Sequence, residues 1–132
     1  MNILNGIIEE ITVNGALSLA YIRVGETRFT VIVIDTPATV SYLRAGNPIQ
    51  VIFKETEVII GKGTGHQVSL QNKLVGQIHK IESGALLSKI ILETSAGRIT
   101  SVITTNAVKK LQLKEGNEVT AMIKTNEIMI SE

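Results

Sequence analysis

The sequence predicts an all-β protein made of two tandem five-stranded barrels with one short helix in each, and three observations carry that prediction. The first is a repeat: setting Gly76 over Gly6 gives an offset of 76 − 6 = 70 in the 132-residue chain. The same offset sets Ile81 over Ile11, Arg98-Ile99-Thr100 over Arg28-Phe29-Thr30, and Leu113 over Leu43. It also sets Gly116-Asn117 over Gly46-Asn47, Lys124 over Lys54, and Glu127-Ile128 over Glu57-Val58. A unit of this length exceeds the usual solenoid repeat and suits a minimal barrel. The second is composition. Hydrophobic residues make up 44% of the chain but aromatics only 3%, so the core is Ile, Val and Leu, which favour strands. The third is patterning, with apolar residues alternating or running in short blocks broken by Gly and Asn.

In the first half these blocks predict strands over Gly6–Val13, Leu17–Val24, Arg28–Asp35, Pro48–Phe53 and Glu57–Ile60. Asn14-Gly15 is a strong hairpin dipeptide, and Gly25-Glu26 marks the next turn. A short helix is expected between the third and fourth strands. Thr36 suits its N-cap, Pro37 its first turn, and Gly46 follows its end. The second half repeats the order, with strands over Leu74–Ile81, Ser88–Thr94, Arg98–Thr104, Glu118–Lys124 and Glu127–Ser131 and a helix over Asn106–Leu111. The hairpin Ser83-Gly84-Ala85-Leu86 slips by one residue against Asn14-Gly15-Ala16-Leu17, which reads as a loop deletion. Five strands with a helix after the third is the order of the OB-like Greek-key barrel. The expected organisation is therefore a first repeat over 1–61, a Gly-rich linker over 62–68 and a second repeat over 69–132. A unit of this size buries only roughly 60% of its unfolded surface, so the halves should pack on each other or on other copies.

Composition excludes several kinds of chemistry. No cysteine is present, which removes thiolate catalysis, zinc-thiolate sites and disulfides. The net charge of +1 gives no field for nucleic acid or anionic lipid, and the four aromatics, all in the first half, make a poor stacking platform. The opening residues Met1–Gly6 lack the pattern of a secretory signal, and the longest apolar run, Val31–Ile34, is too short for a bilayer. A cytoplasmic protein without membrane contact is expected. Gly61-Lys62-Gly63-Thr64 lacks the spacing of a phosphate loop and reads as linker. His66 and His79 have no partner at metal-ligand spacing, Glu9-Glu10 are expected one inward and one outward, and no catalytic constellation is recognisable.

The second half carries a set of donors with few carboxylates among them. Ser69-Leu70-Gln71-Asn72-Lys73 precedes its first strand, Thr104-Thr105-Asn106-Ala107 stands at the strand-to-helix turn, and Lys124-Thr125 ends the fourth strand. Hydroxyls, amides, a helix start and one lysine suit a tetrahedral dianion. Phosphate retains a proton near neutral pH and calls for an acceptor; sulfate, molybdate and tungstate do not. The same residues also serve as ordinary turn and cap groups, and residue types alone leave both readings open.

Over Ser69 to Ser131 the chain resembles the molybdate-binding Mop (molbindin) domain, also called the TOBE domain. The family's opening Ser-Ala-Arg-Asn, then Leu and Gly, is matched by Ser69-Leu70-Gln71-Asn72-Lys73-Leu74-Val75-Gly76. Its Ile-x-x-Gly-Ala turn is matched by Ile81-Glu82-Ser83-Gly84-Ala85, and its Ile-Thr-x-Val-x-Thr strand by Ile99 to Thr104. Its closing Leu-x-Leu-x-x-Gly-x-x-Val-x-Ala-x-Ile-Lys is matched throughout by Leu111 to Lys124. The tandem form resembles the two-domain molbindins. The resemblance implies a non-enzymatic protein with no cofactor that binds molybdate or tungstate between domains, for storage, homeostasis or sensing. It also implies self-association, as a homotrimer or homodimer. Family positions fall on Ser69, Gln71, Asn72, Thr104 and Lys124, with Lys54 a weaker contributor from the first repeat. Two departures stand out, since Gln71 replaces an Arg and Ala107 replaces a Ser. In the first repeat Asp35 takes the place of Thr105. These changes keep a second reading in view, a ligand-free oligomerisation or interaction module.

Overall fold

A computed structural model describes all 132 residues. In the first half the strands are β1 (Asn2–Asn14), β2 (Leu17–Val24), β3 (Thr27–Val33), β4 (Pro48–Phe53) and β5 (Ile59–Lys62). The second half contains β6 (Asn72–Ser83), β7 (Leu87–Thr94), β8 (Gly97–Thr104), helix α1 (Thr105–Leu111), β9 (Glu118–Ile123) and β10 (Met129–Ser131). They form two five-stranded sheets, ordered β10-β4-β1-β2-β3 and β5-β9-β6-β7-β8. Within each, the fourth strand of a half returns beside the first, which is Greek-key order.

The sheets do not coincide with the sequence halves. β5, in the first half, pairs with β9, and β10, in the second, pairs with β4. Each half thus lends its last strand to the other's sheet. Alternation along each strand predicts its faces but not its partner, which is why the exchange is silent in the sequence. The registers of these exchanged strands obey the repeat, since Ile59 opposes Met122 while Met129 opposes Ile52.

The hairpins correct one expectation. Val13 pairs with Ser18 and Ser83 with Ser88, so the loops have equal length and nothing is deleted. Instead the glycine has moved by one position. Gly15 adopts φ +63, whereas Gly84 lies where a Cβ would come within 2.7 Å of the Leu87 carbonyl.

The first-half helix does not form. Residues 36–47 make turns, with Thr39 and Val40 N–H donating to the Thr36 carbonyl at 3.0 and 2.9 Å. Thr39, Val40, Ser41 and Tyr42 are weak helix formers, and one turn does not propagate. The short helical element of this half lies later, a 3-10 turn over Glu55–Glu57. α1 does form, with the Ala107 N–H donating to the Thr104 hydroxyl and Gln112 closing it at φ 52.

Equivalent devices shape both sheets. β1 bulges between Ile8 and Glu10, and β6 between Ile78 and Lys80. The bulge sends both Glu9 and Glu10 outward, where Arg23 and Arg28 pair with them. At the bulges Ile8 and Ile78 bond the Gly46-Asn47 and Gly116-Asn117 turns, with Gly46 and Gly116 N–H each donating to an isoleucine carbonyl at 2.7 Å. Gly6 and Gly76 permit the close crossing of the next strand; a Cβ on Gly76 would sit 2.6 Å from the Glu93 carbonyl.

One core of 25 buried residues runs through both halves, so the halves pack on each other as their size requires. Its largest members, Phe29 and Phe53, pack with tilted rings at a centroid distance of 6.2 Å. No helix is long and apolar enough to cross a membrane.

Candidate functional site

Two side-chain amides join the halves. Asn2, buried on β1, donates to the Thr100 carbonyl on β8 and accepts from the Thr100 N–H, both at 2.8 Å. Asn72, buried on β6, treats Thr30 on β3 in the same way. Each amide acts as a one-residue strand, satisfying peptide groups on an otherwise unpaired edge.

Beside the Asn72 clasp, the Ile32 N–H donates to the Thr125 carbonyl at 3.1 Å. Together these bonds draw the Ser69–Gln71 segment and the end of β9 against β3. A cleft of about 330 Å³ opens there, lined by Ser69, Leu70, Gln71, Lys124 and Thr125 on one side and by Leu19 and Ile32 on the other. Three of the expected residues, Ser69, Gln71 and Lys124, therefore meet in one place. The side chains of all three are free of intramolecular hydrogen bonds and ion pairs, and no carboxylate lines the cleft. A lysine with no internal partner, a hydroxyl and an amide form a set of donors directed at solvent.

The other expected residues lie elsewhere in the single chain. The Asn72 amide is committed to Thr30, so it positions the cleft from behind. Thr104 caps α1 with its hydroxyl and is not part of the cleft wall. Beside it, Thr105 is buried and shares a 2.8 Å hydrogen bond with Ser88. Lys54 is exposed at the end of β4, and no cleft forms around it.

The apolar wall of the cleft has no signal of its own in the sequence. Ile32 is 37% exposed although it belongs to a strand of buried valines, Val31 and Val33. That alternation was visible, but which loop would cover the face was not. His66 ends the glycine-rich segment that the sequence marks as a linker. Its ring packs over Gly61, where a Cβ would lie 2.8 Å from Nε2, and its carbonyl accepts from Lys73 Nζ at 2.8 Å. Thr120 likewise donates to the Gly63 carbonyl, so the linker is tied down at several points.

Comparison with known proteins gives a consistent picture. The TOBE domain family matches residues 69–130. Molybdenum-pterin-binding protein 1 of Clostridium pasteurianum is 38% identical over 64 residues, which is 48% of this chain and 94% of the relative. Molybdenum-pterin-binding protein MopB of Rhodobacter capsulatus is 27% identical over 112 residues, 83% of this chain and 42% of the relative. The crystal structure of the cytoplasmic molybdate-binding protein ModG with molybdate bound superposes with a TM-score of 0.90 at 25% identity, covering 98% of this chain and 94% of ModG. The family match falls on the second half, while the likeness to ModG extends over both. The chain belongs to the TOBE-domain family of Mop-type proteins, in its tandem two-repeat form.

Proposed function

We propose that this protein binds molybdate, or tungstate, without catalysis, as a cytoplasmic protein of molybdenum storage, homeostasis or sensing. The observation that carries the reading is the cleft at Lys124, where Ser69 and Gln71 present donors that nothing else in the chain uses and no carboxylate competes. Such a site favours an anion that needs no acceptor. A single ammonium supplies charge, and the hydroxyl and amide supply direction. The names of the Mop relatives and of ModG point the same way.

The functional unit is the pair of repeats, 1–61 and 69–132, joined through 62–68. Leu19 and Ile32 offer no hydrogen bond, so the cleft encloses an oxyanion on one side only. Self-association, as a trimer or dimer, completes the enclosure and brings Thr104 of one copy to the donors of another. A ligand-free interaction module has less support, because idle donors around an unpaired lysine give such a module nothing.

Calorimetric titration of the purified protein with molybdate, with sulfate and phosphate as controls, tests the proposal. Saturable binding of molybdate at micromolar concentrations or below is expected. Absence of heat with every oxyanion would refute it.

A further inference from the structure

The offset of 70 gives residues of the cleft counterparts in the first half, and their chemistry differs. Lys54 stands for Lys124, Glu55 for Thr125, Met1 for Gln71, Lys89 for Leu19 and Val102 for Ile32. A hydroxyl has thus become a carboxylate. The Glu55 side chain is only 29% exposed and takes the Met1 ammonium at 3.3 Å. The backbone differs as well, since the bond from Ile32 N–H to the Thr125 carbonyl has no equivalent between Val102 and Glu55. None of the surface clefts is lined by Lys54 or Glu55.

We infer that Glu55 is a resident anion, which takes in the first half the place that the second half leaves open for an oxyanion, so that each chain binds at Lys124 and not at Lys54. The inference rests on the reading of the cleft given above. A carboxylate attached to the chain is present at high effective concentration and loses no translational freedom on pairing. Its charge repels a dianion. Thr125 can donate and carries no charge, so the same position in the second half welcomes the ligand. Glu55 therefore determines the number of sites.

The test is calorimetric titration with molybdate of the full chain, of Glu55→Thr, and of Glu55→Thr combined with Lys124→Ala. Glu55→Gln, which keeps the shape of the side chain, serves as a second variant should the threonine disturb folding. One saturable site per chain is expected in the unmodified protein. Loss of the carboxylate should add a second class of sites and double the stoichiometry, and the double variant should keep the new class while the original class weakens at least tenfold. Two sites per chain in the unmodified protein, or an unchanged stoichiometry in both folded Glu55 variants, would overturn the inference and leave the Lys124 cleft standing. No binding by the unmodified protein would overturn the cleft reading, and the inference with it.

Discussion

Asn72 and Thr30 grip each other across the boundary between the two halves, with the Thr30 N–H donating to Asn72 Oδ1 at 2.7 Å and Asn72 Nδ2 donating to the Thr30 carbonyl at 2.8 Å. One side chain thereby does the work of a neighbouring peptide on the outer edge of β3. Replacing it with alanine leaves a part-buried N–H and C=O without partners, each costing about 1–3 kcal/mol. Asn72→Ala is therefore expected to lower stability by about 2–4 kcal/mol in guanidinium denaturation. A loss below about 0.5 kcal/mol, the size of an ordinary surface change, would show that water satisfies these groups instead.

Lys124 makes no ion pair and is exposed, so its removal should scarcely touch the fold. Lys124→Ala is expected to weaken molybdate binding at least tenfold, about 1.4 kcal/mol, with the melting temperature nearly unchanged. Unaltered affinity in the folded variant would remove Lys124 from the site.

The two kinds of glycine should respond differently to a methyl group. At Gly76 an added Cβ meets the Glu93 carbonyl at 2.6 Å and Thr94 Cγ2 at 2.8 Å, whereas Gly15 has open space and only its φ of +63 to resist. Gly76→Ala should cost about 3 kcal/mol, the upper end of the overpacking range, because a backbone carbonyl cannot give way as a flexible side chain can. Gly15→Ala should cost about 1–2 kcal/mol, from backbone strain alone. Thermal unfolding of the pair checks the order, and a larger loss at Gly15 would contradict the close crossing of β6 and β7.

Strand exchange makes a prediction about location. Removing residues 129–132 deletes β10, which pairs with Gln50, Val51 and Ile52 of β4. Amide hydrogen exchange should then accelerate on β4, in the other half of the sequence, while β9 keeps its partner β5. Faster exchange centred on β9 would mean that each half keeps its own last strand.

Most strands were legible because alternation and turn residues are local signals. Leu17–Val24 and Pro48–Phe53 coincide with β2 and β4 residue for residue. β1 and β6 run four and two residues earlier than the apolar pattern, since Asn2 and Asn72 look like loop residues until their clasps are seen. The first-half helix was misread from Thr36, Pro37 and Gly46, good boundary residues around a segment with no capacity to propagate. Of the cleft, Ser69, Gln71 and Lys124 were legible through the family motif, and the structure places them together. The commitment of Asn72 to Thr30 was not, because a buried amide and a ligand-binding amide have the same one-letter signature. Nor was the wall of Leu19 and Ile32, which comes from the opposite half and depends on tertiary packing alone.

The exchange of β5 and β10 also bears on the history of the chain. A duplicated gene can usually shed one copy of its repeat and return to a single unit. Here each sheet is finished by a strand encoded in the other copy, so deleting either half leaves the survivor without its outer strand and with β4 or β9 newly exposed. Such an edge invites pairing with whatever chain is near. The tandem chain makes this loan within itself, whereas a single copy would have to exchange its last strand with a second molecule. Linking the copies leaves the individual side chains of each free to diverge on one shared framework, as Thr125 and Glu55 have done.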